Sequence, residues 1–208
     1  VSALDALTRA ASLEAVFLAA LVEKFIPILP SYVLYPAIGI GAADVWALAG
    51  RCLVATAGSM GGALAWYGLG ALAGQRRTRA LVARHGRWVL LSAELYDRLM
   101  ANYRRRSLWL TFLGQLIPTV RIFQALPAGV LRLPLAGFLA ATALGSLCWI
   151  ALLAGAGHAL RSQGWAAGEA GLAVLGAMVA VEGGVALLAW GLRRRRRAAP
   201  AVLVAGAD

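Results

Sequence analysis

The sequence predicts an all-α polytopic membrane protein made of two inverted-topology repeats, each a re-entrant helical hairpin plus a transmembrane helix, with one further C-terminal transmembrane helix. Three observations carry that prediction. Of 208 residues, 61% are hydrophobic and only 14% charged, and the mean hydropathy is +0.75. That charged share is about half of what an average soluble domain carries, too little polar surface to clothe one in water. Long uncharged runs alternate with proline-broken ones. The basic residues sit in blocks beside the apolar runs instead of spreading over one face.

After an N-terminal segment, 1–12, the first apolar stretch covers 13–43 and is interrupted by Glu23, Pro27, Pro30 and Pro36. Proline removes an amide donor and disfavours helix just before it. Non-helical backbone survives at membrane depth only when protein or a wet cavity surrounds it, so this stretch reads as re-entrant. No basic segment precedes a cleavable apolar core here, so no signal peptide is expected. The uncharged run from Cys52 to Gln75 has full spanning length, and the span is placed over 51–74.

Residues 75–106 carry nine arginines against Glu94 and Asp97, with Leu81, Trp88, Leu91, Leu95 and Leu99 among them. They read as a basic amphipathic helix at the cytoplasmic interface. A second re-entrant segment follows over 108–131, broken by Pro118, Arg121 and Pro127, and a second span over 133–157. The C-terminal loop and helix, 161–192, cross once more and carry Glu182; the tail, 193–208, holds Arg193 to Arg197. Placing both basic blocks in the cytoplasm demands an even number of crossings between them, which holds if 108–131 dips in and returns.

An internal echo supports the two halves. Leu48-Ala49-Gly50 with Gly58-Ser59 recurs 87 residues later as Leu135-Ala136-Gly137 with Gly145-Ser146, and Gly68 and Gly70 match Gly155 and Gly157. Each copy follows a proline-broken hairpin, and the first span runs inward where the second runs outward. Inverted repeats of this kind put a substrate site near the midplane, where broken segments meet.

Glu23 and Arg121 occupy corresponding places in the two hairpins and form the leading pair for a substrate or proton pathway. Apolar surroundings favour the neutral form of a carboxylic acid and a neighbouring guanidinium favours the charged form, so proton occupancy depends on whether such a pair is engaged. Two readings stand: a proton-coupled switch, or a permanent structural ion pair, with Glu23 paired to Lys24 at the rim as a variant of the latter. Arg121 either holds an anionic group such as a phosphate by its fork or tethers helices. Gln115 is a candidate hydrogen-bonding group or a packing residue. Ser31 and Tyr32 follow Pro30 at the hairpin tip, the tyrosine facing the cavity or an interfacial belt. Glu182 is a second candidate proton site or a helix–helix hydrogen bond. Asp44 and Arg51 read as interface residues, and Pro27, Pro30, Pro118 and Pro127 as the hairpin breakers.

Cys52 and Cys148 read as buried free thiols; His85 and His158 are isolated, so no metal and no cofactor are expected. No serine–histidine pairing or glycine-flanked serine elbow points to hydrolysis, so the chain is not read as an enzyme. The net charge of +11 is distributed as membrane topology requires, which argues against nucleic acid as a partner.

Over roughly residues 13 to 160 the chain resembles the DedA family of bacterial inner-membrane proteins, which share the VTT or SNARE-associated domain. The likeness rests on Glu23 with Pro27-Ile28-Leu29-Pro30-Ser31, on Tyr67-Gly68-Leu69-Gly70 within Gly58 to Gly74, and on Phe112-Leu113-Gly114-Gln115-Leu116-Ile117-Pro118-Thr119-Val120-Arg121. Pro127-Ala128-Gly129, Phe138 and Gly145 through Trp149 complete it. The resemblance implies movement of lipid-linked anions, undecaprenyl phosphate or phospholipid, across the inner membrane with dependence on proton motive force. It also implies that Glu23 and Arg121 are the family's hairpin acid and arginine. The chain departs from the family at Tyr32, usually a second acid, and at Gln115, usually an arginine. Losing an acid and a base together keeps the charge balanced and implies a less polar cavity.

The expected function is therefore a transporter, flippase or scramblase of an anionic lipid, with protons as the candidate coupling ion and the homo-oligomeric state open. The alternative is a non-transporting, membrane-organising protein that supports envelope integrity.

Overall fold

Ser12 opens the first helix by accepting the amide of Ala15 at 3.2 Å, so α1 (Leu13–Glu23) starts on a side-chain cap. The structure is a computed structural model that describes residues 12–26, 31–85 and 93–165, then 169, 172–174, 176, 177, 179–181, 183, 184, 187 and 191. Pro27, Pro30, Glu182 and the arginine tail lie outside the described residues. Helix α2 (Ser31–Ile40) continues through Pro36, which the sequence marked as a break; one proline in a short helix forfeits a single amide bond. Asp44 accepts the amide of Ala47 at 2.8 Å and caps α3 (Val45–His85), so this helix starts at Val45, ahead of the expected 51. At Gly74, φ 70°, it turns and continues into the basic segment. A side chain other than glycine is disfavoured at that φ.

The remaining helices are α4 (Ala93–Arg105), α5 (Ser107–Gln115), α6 (Pro118–Phe123), α7 (Ala125–Val130) and α8 (Leu135–Ser162). Residues described between 172 and 191 are also helical, and Val174 joins the core. Among the described residues the chain is all-helical. Two helical stretches, Val45–Arg84 and Leu135–Arg161, are long and apolar enough to cross a membrane. By contrast α1 and α2, with 11 and 10 residues, are each only about 16 Å long, half of a hydrocarbon core of about 30 Å.

The distribution of polarity is inside out. Trp46, Leu53, Leu72, Leu144 and Leu152 are exposed along the two long helices, while Glu23, Lys24, Gln115 and Arg121 are buried. Such an apolar belt has lipid as its natural solvent. Cys148 lies on that belt, one turn from both Leu144 and Leu152, and is exposed where a buried thiol was expected; Cys52 is buried.

The short helices dock on the long ones crosswise. Helices α1 and α7 pack on α3, whereas α2 and α5 pack on α8. Glycines make these crossings close. Gly58 faces the carbonyl of Phe17 and Gly145 that of Phe112; Gly70 faces the carbonyl of Leu126 and Gly157 that of Pro36; Gly129 faces the carbonyl of Tyr67 and Gly39 that of Ala154. Any of these positions would collide with backbone if it carried a side chain. Close backbone approach at small residues is how helices gain packing energy where lipid supplies no hydrophobic drive.

Outside the bundle, α4 turns Tyr96 and Tyr103 inward and Arg104 and Arg105 outward. Burial, and after it the adjacent Asp97, push the Tyr96 hydroxyl upward, so it meets the bundle neutral. Asp97 also ties α4 to the end of α3 through Arg79 at 2.9 Å.

Candidate functional site

The C-terminal end of α1 delivers two neighbouring charged side chains into the centre of the bundle. Glu23 is 2% exposed and Lys24 1%, and Arg121 and Gln115 are each 1% exposed. Groups like these are tolerated in an apolar interior only when hydrogen-bonded or paired.

The carboxylate of Glu23 is met first by hydroxyls. Ser31, the first residue of α2, donates to Oε1 at 2.6 Å, and Tyr35, one turn later, donates to Oε2 at 3.2 Å. The N-terminal end of α2 adds its favourable dipole to these donors. Arg121 sits on α6 immediately after the Pro118 turn, and its Nη2 stands 3.5 Å from Oε2, in loose contact. Charge-assisted bonds are usually about 2.7–2.9 Å long, so the hydroxyls hold the acid more tightly than the guanidinium does. Arg121 also donates to the Ser31 hydroxyl at 3.2 Å and the Tyr35 hydroxyl at 3.4 Å, and lies over the Tyr35 and Trp149 rings at 5.6 and 5.5 Å. Aromatic faces supply a partial counter-charge for a cation.

Lys24 turns to the opposite wall. Its ammonium donates to Gln115 Oε1 at 3.4 Å, its stem lies against Gly62, and its carbonyl accepts from Trp66 Nε1 at 2.9 Å. Gln115 Oε1 also accepts from Ser146 at 3.3 Å, and the Ser146 hydroxyl faces that of Ser59 at 3.5 Å. One chain of polar groups therefore links α1, α5, α8 and α3. Several donors in this centre have no partner: Gln115 Nε2, Arg121 Nε and Trp149 Nε1. A second polar layer holds the Tyr103 hydroxyl 2.8 Å from that of Thr111, with the amide of Gln124 and the hydroxyl of Thr142 buried and unpartnered.

Of the residues singled out from the sequence, Glu23, Ser31, Gln115 and Arg121 meet here. Tyr32 does not supply the hydroxyl on the acid; its ring stands edge-on to Trp149 at 5.9 Å, and Tyr35 takes that place. Pro118 begins α6 and Pro127 lies within α7. Arg51 donates to the carbonyl of Ile38 at 3.2 Å and Arg161 to that of Ala42, closing the C-terminal end of α2; His158 Nδ1 lies 3.3 Å from the carbonyl of Gly39. Among the described residues, no three His, Cys, Asp or Glu side chains are arranged to hold a metal. Sequence reasoning did not single out Tyr35, Gln124 or Thr142, and it named Ser59, Ser146 and Trp149 only as parts of the repeat and the family motif, not as site residues. Thr142, Ser146 and Trp149 recur at i, i+4 and i+7, a polar stripe on an otherwise apolar helix that was there to be read.

Residues 38–159 match the family model of the VTT domain. Undecaprenyl phosphate transporter A of Staphylococcus aureus is 26% identical over 136 residues, covering 65% of this chain and 67% of that protein. An alkaline phosphatase-like protein of Lactococcus lactis subsp. cremoris is 31% identical over 142 residues, 67% of this chain and 66% of that protein. A protein of the same description from Lactococcus lactis subsp. lactis matches to the same extent. The chain thus spans about two thirds of the length of these relatives. No solved structure gives a significant match.

Proposed function

The chain belongs to the VTT-domain family, also called DedA, and from that premise we propose that it is an inner-membrane transporter that passes an anionic lipid, of the undecaprenyl phosphate or phospholipid type, between leaflets. One observation carries the reading: a carboxylate and a guanidinium from two different hairpins, 2% and 1% exposed, face each other at a loose 3.5 Å in the bundle centre. A structural ion pair in that environment gains most by closing to full contact. A pair left slack can part to admit an anion on Arg121 and a proton on Glu23.

The contacts support two re-entrant hairpins. Leu13 and Phe17 adjoin Val54 near the start of α3, and the chain returns to that end through Ala42, beside Arg161. Leu108 adjoins Gly137 near the start of α8, and Leu133 leads straight back into that helix. The crosswise docking supports an inverted repeat, since each carbonyl–glycine crossing in one half has its counterpart in the other. Ser59 and Ser146, equivalent positions 87 residues apart, meet each other as residues on a two-fold axis do. In this reading the membrane domain spans 13–160, the basic loop 75–106 and the tail are cytoplasmic, and protons are the coupling ion.

The test is reconstitution of the purified full chain in proteoliposomes with labelled polyprenyl phosphate. Wild-type protein moves the label, and E23Q and R121A do not, while both remain folded. Unaltered movement by these variants overturns the reading. The rival, a non-transporting organiser of the membrane, takes the same network as a staple between helices and predicts no lipid movement by the wild type. Hydrolysis, suggested by the description of the Lactococcus relatives, would appear as phosphate released by the pure protein; we read the chain as not an enzyme.

A further inference from the structure

Lys24 is the only lysine among twenty basic residues, and it is buried in the centre of the bundle. Among the described residues no carboxylate lies within ion-pair distance of it; Glu23, its neighbour in sequence, turns its oxygens to Ser31, Tyr35 and Arg121. The ammonium has one neutral partner, Gln115 Oε1, at 3.4 Å. When Lys24 carries its proton, Glu23 is opposed by two cations, Lys24 and Arg121, and the bundle centre holds one positive charge in excess. An uncompensated buried cation is among the costlier things a fold can keep, and a chain evolving for stability alone would replace it with an apolar side chain.

Unpartnered donors occupy the same buried centre. Gln115 Nε2 is on the side chain Lys24 already touches, Arg121 Nε and Trp149 Nε1 belong to groups stacked within 5.5 Å, and Ser146 lies one turn before Trp149 on α8. Gln115 Nε2, Arg121 Nε and Trp149 Nε1 are donors without an acceptor, while the Ser146 hydroxyl is already spent on Gln115 Oε1. Donors grouped in this way suit an anion with several acceptor oxygens, which is the chemistry of a phosphate monoester.

Resting on the transport reading above, we propose that Lys24, with Gln115, Trp149 and the Nε edge of Arg121, is the phosphate-receiving side of the chamber, and that Lys24 exchanges its bond to Gln115 for the anion while Arg121 stays with Glu23. A single negative charge then neutralises the chamber. A proton on Glu23 leaves room for a second, which links protonation to tighter anion binding.

The experiment uses the purified full chain in detergent, with dodecyl phosphate and inorganic phosphate as probes, calorimetric binding and thermal unfolding as readouts, and K24M and K24R as variants. Wild type binds dodecyl phosphate and its Tm rises on binding. K24M weakens binding roughly ten- to a hundredfold, the loss expected for one charge-assisted bond, yet without ligand it unfolds at or above the wild-type temperature. K24R, which keeps the charge, keeps binding. If inorganic phosphate competes on equal terms the natural ligand is a free phosphate; if it does not, the ligand is a lipid headgroup. Three results overturn the proposal: wild type binding neither probe, K24M binding as wild type does, or K24M failing to fold, which would make Lys24 a staple. The transport reading has its own arm. Flux lost in R121A and E23Q but intact in K24M defeats this inference alone, while Lys24-dependent binding without any wild-type flux defeats the transport reading alone.

Discussion

Two ion pairs in this molecule invert the usual relation between closeness and consequence. Arg79 and Asp97 meet at 2.9 Å with both side chains about half exposed, whereas Arg121 and Glu23 stand 3.5 Å apart and almost wholly buried. The first has near-ideal geometry in a medium that screens it, and such pairs contribute about 0.2–1 kcal/mol. The second has slack geometry where nothing screens it and where removing one partner strands the other. Distance measures how finished a contact is, and burial measures what depends on it. The tight pair fastens a surface helix; the slack one sits among the buried polar groups at the bundle centre.

The sharpest way to break this comparison is R121A, expected to cost about 3–5 kcal/mol of stability because the buried Glu23 carboxyl loses its guanidinium partner, read as a large fall in Tm. The double variant E23M/R121M sharpens it further: unfolding returns towards wild type, since two packed apolar side chains replace two charges, but lipid movement stays lost. Next in size come G39V and G129V, matched positions whose added side chains strike the carbonyls of Ala154 and Tyr67. Each should lower stability by about 1–3 kcal/mol, and similar losses at the two sites would extend the correspondence of the halves to energetics. Y35F removes one hydroxyl from the carboxylate and is expected to cost about 1.5 kcal/mol, measurable by thermal unfolding with the Glu23–Arg121 pair left in place. Smallest is R79Q, below about 1 kcal/mol, with transport in proteoliposomes unchanged.

Composition, uncharged runs and basic blocks made the membrane class legible, and the proline placement drew attention to Glu23 and Arg121. What stayed hidden had physical causes. Lys24 follows an acid at the end of an apolar run, the place where a lysine usually reaches for the interface, and nothing local says that its stem is trapped against Gly62. Tyr35 and not Tyr32 reaches the acid because α2 is already helical at Ser31 and passes through Pro36; a reader who expects a break there loses the one-turn register from Ser31 to Tyr35. Cys148 looks buried in a string of apolar letters because only the docking of α2 and α5 on one side of α8 decides which face is left for lipid. Pairings across 90 or so residues, such as Arg121 with Ser31, are set by how four helices cross and have no signature in any local window.

The crosswise docking has a mechanical consequence. Each pair of short helices, α1 with α2 and α5 with α7, is mounted on both long helices, one member on α3 and the other on α8. Tilting one long helix against the other therefore displaces one member of both pairs together. The two pairs of short helices are thereby geared to one another through the long helices that carry them.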